Sequence, residues 1–197
     1  MTTMKWNIPN ILTLLRIILI PVLVLVFYAP YGWSHLLSAT VFGLAAVTDW
    51  LDGYLARRLK QSSVFGAFLD PVADKLMIAV ALVVLVQDNP SALFAIPAAI
   101  IVGREIVISA LREWMSQIGE RTRVAVSMIG KIKTAAQMLA ILLLLYKYPL
   151  GAFPTHDVGL VLIYIAATLT LWSMIVYLRA AWPILLGRPD PGHQDDA

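Results

Sequence analysis

Asp49-Trp50-Leu51-Asp52-Gly53-Tyr54-Leu55-Ala56-Arg57, followed after eight residues by Gly66-Ala67-Phe68-Leu69-Asp70-Pro71-Val72-Ala73-Asp74, places four carboxylates inside an otherwise apolar sequence. Positions 49, 52, 53 and 56 recur at helical spacing, so two carboxylates and two small residues share one helix face. Positions 66, 70 and 74 do the same on the next helix. Facing residues of an antiparallel helical hairpin have a nearly constant sum of residue numbers. The pairs 49/74, 52/70 and 56/66 differ in that sum by at most one. Both aspartate pairs are therefore expected at one depth, with Ala56 against Gly66, where the lack of bulk lets two backbones approach.

Four convergent carboxylates repel one another unless a cation offsets their charge. An all-oxygen ligand set suits Mg2+ or Mn2+ rather than zinc or copper. Two ions, about 3.5–4 Å apart, are expected; such a pair polarises a phosphoanhydride and stabilises its leaving group. A bland reading competes with this one. A single acidic residue in an apolar helix is as readily a proton relay, an ion-pathway residue or half of a buried pair. Four in register would need four basic partners, and the neighbouring sequence offers Arg57, Arg58 and Lys75, with Arg58 and Lys60 placed to snorkel toward the interface. For Gly53 and Gly66, close helix packing and ligand contact are both compatible with the pattern.

Outward from this motif the chain reads as a membrane protein. Hydrophobic residues make up 60% of its 197 positions and charged residues 14%, against about 25% charged in soluble domains. Mean hydropathy is +0.80. At about 20 apolar residues per crossing, the length accommodates roughly five to seven spans and no sizeable soluble domain. The absence of cysteine excludes disulfides, zinc thiolates, iron–sulfur clusters and thiol catalysis. A net charge of +3 could point to nucleic acid, but the basic residues lie between apolar stretches, which favours anionic lipid or phosphate as the partner and no nucleic acid.

Six apolar segments are expected at 8–28, 35–58, 67–87, 92–114, 125–147 and 157–182, giving an all-α polytopic fold with six transmembrane helices. Turn chemistry separates three of the junctions, at Ala29-Pro30-Tyr31-Gly32, Asp88-Asn89-Pro90 and Tyr148-Pro149-Leu150-Gly151. With the amino terminus inside, the inner side receives Lys5, Arg57, Arg58, Lys60, Arg112, Arg121, Arg123, Lys131, Lys133, Arg179 and Arg188, and the outer turns hold Lys147 alone. Both termini are then cytoplasmic. Residues 1–183 read as a single membrane domain. Residues 184–197, rich in Pro, Gly and Asp, read as a flexible cytoplasmic tail. Met1 to Pro9 is too short to be assigned as an interfacial amphipathic helix from its sequence.

The paired segments resemble the complete signature of the CDP-alcohol phosphotransferases, every specified position of which is met. Asn7-Ile-Pro-Asn10-Ile-Leu-Thr13-Leu-Leu-Arg16, Pro71-Val-Ala-Asp74-Lys75, Gly103-Arg104-Glu105-Ile106 and Gly130-Lys131-Ile-Lys133-Thr134 are similar to the bacterial branch of that family whose acceptor is glycerol 3-phosphate. The likeness covers nearly the whole chain. It implies a six-helix membrane fold, a homodimer in the bacterial cytoplasmic (inner) membrane, and an active site facing the cytoplasm. The implied reaction transfers the phosphatidyl group of CDP-diacylglycerol to sn-glycerol 3-phosphate and releases CMP.

Carried over residue by residue, the resemblance makes Asp49, Asp52 and Asp70 metal ligands, and Asp74 both metal-linked and the general base. Gly53, Ala56, Arg57 and Gly66 would form the CDP-diacylglycerol site, with the guanidinium fork of Arg57 suited to phosphate oxygens. An acceptor that carries its own phosphate needs cations near the carboxylates. Arg104, Arg112, Lys131 and Lys133 are the candidates, although basic residues at inner span ends also anchor topology. Asn10, Thr13 and Arg16 read either as nucleotide or headgroup contacts or, for Arg16, as a snorkelling side chain. His35, His156 and His193 show no ligand spacing and read as solvated. Trp6, Trp33 and Trp182 fit an aromatic belt. The competing functions are a sibling enzyme with serine or inositol as acceptor and, from another class, a small cation transporter, which would spread its charges across the membrane's depth.

Overall fold

The computed structural model describes residues 8–59, 64–118 and 128–185, and these form six α-helices. They are α1 (Ile8–Phe27), α2 (Ser34–Leu59), α3 (Val64–Asp88), α4 (Ala92–Gln117), α5 (Met128–Tyr146) and α6 (Thr155–Leu185). Each expected apolar segment coincides with one helix, and the ends differ by a few residues. The three turn clusters fall between helices as their Pro and Gly content requires. Gly151 adopts φ 61°, the left-handed region that glycine enters without a Cβ penalty. Leu150 and Phe153 close that turn with a two-residue antiparallel bridge. Among the described residues there is no β-strand beyond it.

α1, α4 and α6 are long and apolar enough to cross a membrane, over Asn10–Phe27, Ala92–Gln117 and Thr155–Arg179. The exterior fits a lipid solvent. Leu25, Val83, Leu93 and Trp172 are among many large apolar side chains left exposed, far more than a soluble monomer presents in contiguous patches. Among the tryptophans, Trp33 and Trp182 are exposed at helix ends as the belt reading expects; Trp6 lies outside the described residues.

Packing follows a consistent plan. α1 lies against both α2 and α3, α5 lies against α6 and α2, and α4 joins α6 and α3. Leu23, Phe42, Leu82, Leu85, Ile101, Ile141, Leu144 and Ile163 form the centre of the core. Contact between α5 and α6 depends on Gly159, where a Cβ would stand 2.8 Å from Cγ of Leu144. Proline inside a helix removes a donor and leaves the carbonyl four residues back without its helical partner. Pro97 does this to Leu93 in α4, and the phenol of Tyr164 on α6 donates to that carbonyl at 2.5 Å. A helix defect thereby becomes an interhelical bond.

The direct hairpin expected between α2 and α3 needs correction. These helices touch sparsely, and it is α1 that packs broadly on each of them. The side chain of Ala56 lies outside the described residues, so its approach to Gly66, which is buried, is not described.

Candidate active site

The aspartates occupy the last turns of α2 and the first turns of α3, where the expected helical faces place them. Asp52 is buried and Asp49 is half-exposed. Asp52 lies within electrostatic range of Asp49 and Asp70, and Asp74 within range of Asp49 and Glu105. The 49/74 and 52/70 neighbours anticipated from the residue sums are therefore near one another. They do not close into a ligand cage in this conformation. Among the described residues, no three acidic or histidine side chains stand together closely enough to hold one ion.

Three of the aspartates are engaged from α1. Arg16, the one charged residue of that helix, is 1% exposed. Its Nη2 donates to Oδ2 of Asp52, and its Nη1 lies 3.0 Å from Oδ1 of Asp49. One turn earlier, the hydroxyl of Thr13 donates to Oδ1 of Asp70. Positions 13 and 16 fall on one face of α1, and that face meets the carboxylates of both following helices. The snorkelling alternative for Arg16 is thus overturned, because its guanidinium points into the protein. The neighbouring sequence offered Arg57, Arg58 and Lys75 as nearby cations; of these, Lys75 lies within electrostatic range of Asp74, and the cation against Asp49 and Asp52 comes from farther away. A residue some 36 positions from Asp52 in sequence is the partner. Asn10 is also buried on α1.

The donor set suits a hard divalent ion. It offers carboxylate oxygens alone, in a partly desolvated position where the protein already places a cation against two of the four acids. Gly53 lies among these residues on α2, half-buried. The side chain of Arg57 lies outside the described residues.

A second charged cluster joins α4, α5 and α6. One oxygen of Glu105 accepts from Nη1 of Arg104 at 2.8 Å and from Nζ of Lys133 at 3.1 Å. Arg104 and Lys133 are both buried. Ser173 on α6 lies 3.4 Å from Nη2 of Arg104, and the guanidinium carbons of Arg104 and Arg112 stand 5.8 and 5.5 Å from the ring centre of Tyr177. Three of the four cations proposed for the acceptor phosphate therefore gather at one place. The side chain of Lys131, the fourth, lies outside the described residues, as do Arg121 and Arg123.

Glu105, which joins these cations, was not among the expected site residues. It stood in the quoted Gly103-Arg104-Glu105-Ile106 stretch, but nothing in local spacing pairs it with a lysine on the next helix. A cleft of about 380 Å³ between α3 and α4 is lined mainly by apolar groups, among them Leu76, Ile78, Val102 and Ile106. The carboxylates and the cations are neighbours through Glu105, which lies within electrostatic range of Asp74.

The histidines depart from their expected solvation. His35 packs edge-on between Phe27 and Tyr148, with ring centres 5.6 and 5.7 Å away. Among the described residues, Nδ1 of His35 and of His156 is buried without a hydrogen-bond partner. Both lie at the opposite end of the helices from the aspartates. His193 lies outside the described residues.

Comparison with known proteins covers nearly all of this architecture. The family described as CDP-alcohol phosphatidyltransferase matches residues 6–172. A protein of Pseudomonas fluorescens named CDP-diacylglycerol–glycerol-3-phosphate 3-phosphatidyltransferase is 58% identical over 181 residues, 91% of this chain and 92% of its own. Proteins of the same name from Salmonella choleraesuis and Yersinia pseudotuberculosis are 53% and 54% identical, over 90% and 93% of this chain and 96% and 99% of theirs.

Proposed function

The chain belongs to the CDP-alcohol phosphatidyltransferase family, and from that premise we propose that it transfers the phosphatidyl group of CDP-diacylglycerol to sn-glycerol 3-phosphate, forming phosphatidylglycerophosphate and CMP. The observation that carries this reading is the adjacency of two unlike clusters. Carboxylates on α2 and α3 suit a metal-assisted attack on a pyrophosphate, and Arg104, Lys133 and Arg112 suit an acceptor that is itself a phosphate. An uncharged inositol or a zwitterionic serine would not call for the second cluster. Likeness to the named relatives over nine-tenths of the chain supports the same acceptor.

In this mechanism Asp49, Asp52, Asp70 and Asp74 hold the divalent ions, two Mg2+ or Mn2+, which when bound supply charge neutralisation at the pyrophosphate and make CMP a better leaving group. Gly53, Ala56, Arg57 and Gly66 receive the CDP moiety. Arg104, Arg112, Lys131 and Lys133 hold the acceptor phosphate and so orient its free hydroxyl. Asp74 takes the proton of that hydroxyl as its oxygen bonds to the β-phosphorus. The bond between that phosphorus and the bridging oxygen breaks, and the electron pair leaves with CMP.

The six helices are proposed to span the bacterial inner membrane with both termini cytoplasmic, as a homodimer among membrane lipids. The aspartates would then lie at the cytoplasmic side, within reach of the CDP headgroup of CDP-diacylglycerol and of water-soluble glycerol 3-phosphate. Protein purified in detergent and given CDP-diacylglycerol, glycerol 3-phosphate and Mg2+ is expected to release CMP, and a chelator to stop it. Replacing glycerol 3-phosphate with serine or inositol should abolish the release; turnover with either of these, and none with glycerol 3-phosphate, would overturn the acceptor.

A further inference from the structure

We propose that Arg16 is a built-in competitor of the divalent ions: its guanidinium and the metal are alternative partners of Asp49 and Asp52, and metal binding releases it. The inference rests on the metal-dependent reading above and adds a role that no part of the reaction itself requires.

The argument starts from charge. An arginine in the apolar helix α1 is costly unless paired, and two carboxylates three residues apart on α2 are costly together. Their pairing solves both problems. Arg16 is 1% exposed, with its nitrogens against Oδ1 of Asp49 and Oδ2 of Asp52. Arg16 takes one oxygen of each carboxylate and leaves Oδ2 of Asp49 and Oδ1 of Asp52. An ion on those remaining oxygens would still stand within a few ångströms of the guanidinium, and like charges that close in a partly desolvated site repel, so each cation weakens the hold of the other. The same helix also occupies Oδ1 of Asp70 through Thr13. α1 thus engages three of the four aspartates.

A second observation marks the pairing as incomplete. Among the described residues, the buried Nε and Nη1 of Arg16 have no hydrogen-bond partner, Nη1 standing in ion-pair range of Asp49 alone. A guanidinium evolved solely to bridge two carboxylates would be expected to satisfy its inner donor, because a buried unmet donor is destabilising. Displaced from Asp49 and Asp52, the whole fork becomes available to oxyanions, the phosphates that arrive with the ions.

The test is Mn2+ binding to the detergent-purified full chain, followed by the loss of the free-ion EPR signal, with no substrate present. Arg16→Gln should bind Mn2+ about tenfold more tightly than wild type, the factor expected if the released arrangement is a tenth populated. Should that variant fail to fold, wild-type protein decides: phenylglyoxal modification of Arg16, mapped by mass spectrometry, should be faster with Mn2+ than with chelator. Equal or weaker Mn2+ binding by a folded Arg16→Gln overturns the proposal, and so does a modification rate indifferent to Mn2+. Mn2+ uptake by neither protein removes the metal reading as well, which separates failure of that premise from failure of this inference.

Discussion

At the end of the bundle where α3 stops and α5 turns, Nζ of Lys147 donates to both oxygens of Asp88, at 3.0 and 2.8 Å. At the end where α2 stops, Arg16 divides one guanidinium between Asp49 and Asp52, while Asp70 takes a hydroxyl from Thr13. The first is one cation matched to one anion. Around it, His35, Phe27 and Tyr148 pack edge to edge and Tyr28 donates to Gln87, so the whole end behaves as a clasp. The second spreads scarce positive charge over several acids. Ion pairs that satisfy each other completely are structural; an excess of one sign held at fixed geometry is the raw material of a binding site.

That contrast can be broken most severely at Asp74. Asp74→Asn is expected to lower CMP release by roughly 10²–10⁴-fold, the range that a general base contributes, while the melting temperature holds. A melting temperature that falls as far as activity would make Asp74 structural. The acceptor cluster comes next. Lys133→Met removes one charged donor, so KM for glycerol 3-phosphate should rise on the order of tenfold to a hundredfold, with KM for CDP-diacylglycerol unmoved. If both KM values shift together, the cluster does not discriminate between substrates.

At the clasp end the effects should reverse in kind. Gly159→Ala pushes a methyl against Leu144 and should cost about 1–3 kcal/mol of stability in a denaturation series, with turnover per folded molecule preserved. The smallest effect belongs to Lys147→Met. Its partly exposed pair with Asp88 is worth about 0.2–1 kcal/mol, and CMP release should be unchanged. A loss of turnover there would mean that the two ends are coupled.

Much of this was readable from the residues. Apolar runs punctuated by Pro and Gly located all six helices, and helical periodicity put 49 with 52 and 70 with 74 on shared faces. The sum rule brought 49 near 74 and 52 near 70 even though α2 and α3 scarcely touch, because α1 packs on both helices. What the sequence did not disclose depends on tertiary neighbours. Arg16 and Thr13 gave no local sign that they would meet aspartates on two later helices. Glu105 sat inside a quoted motif, yet its pairing with Lys133 spans 28 positions and a helix crossing. His35 looked like a turn residue; only its packing between Phe27 and Tyr148 makes it part of the clasp.

The engagement of α1 with α2 and α3 also bears on what the first helix is for. It carries the counter-charge held against Asp49 and Asp52 and the hydroxyl held against Asp70. Acids on two helices that scarcely touch are thus tied to one another through a third. Without α1, the same acids would be left facing each other with that shared partner missing.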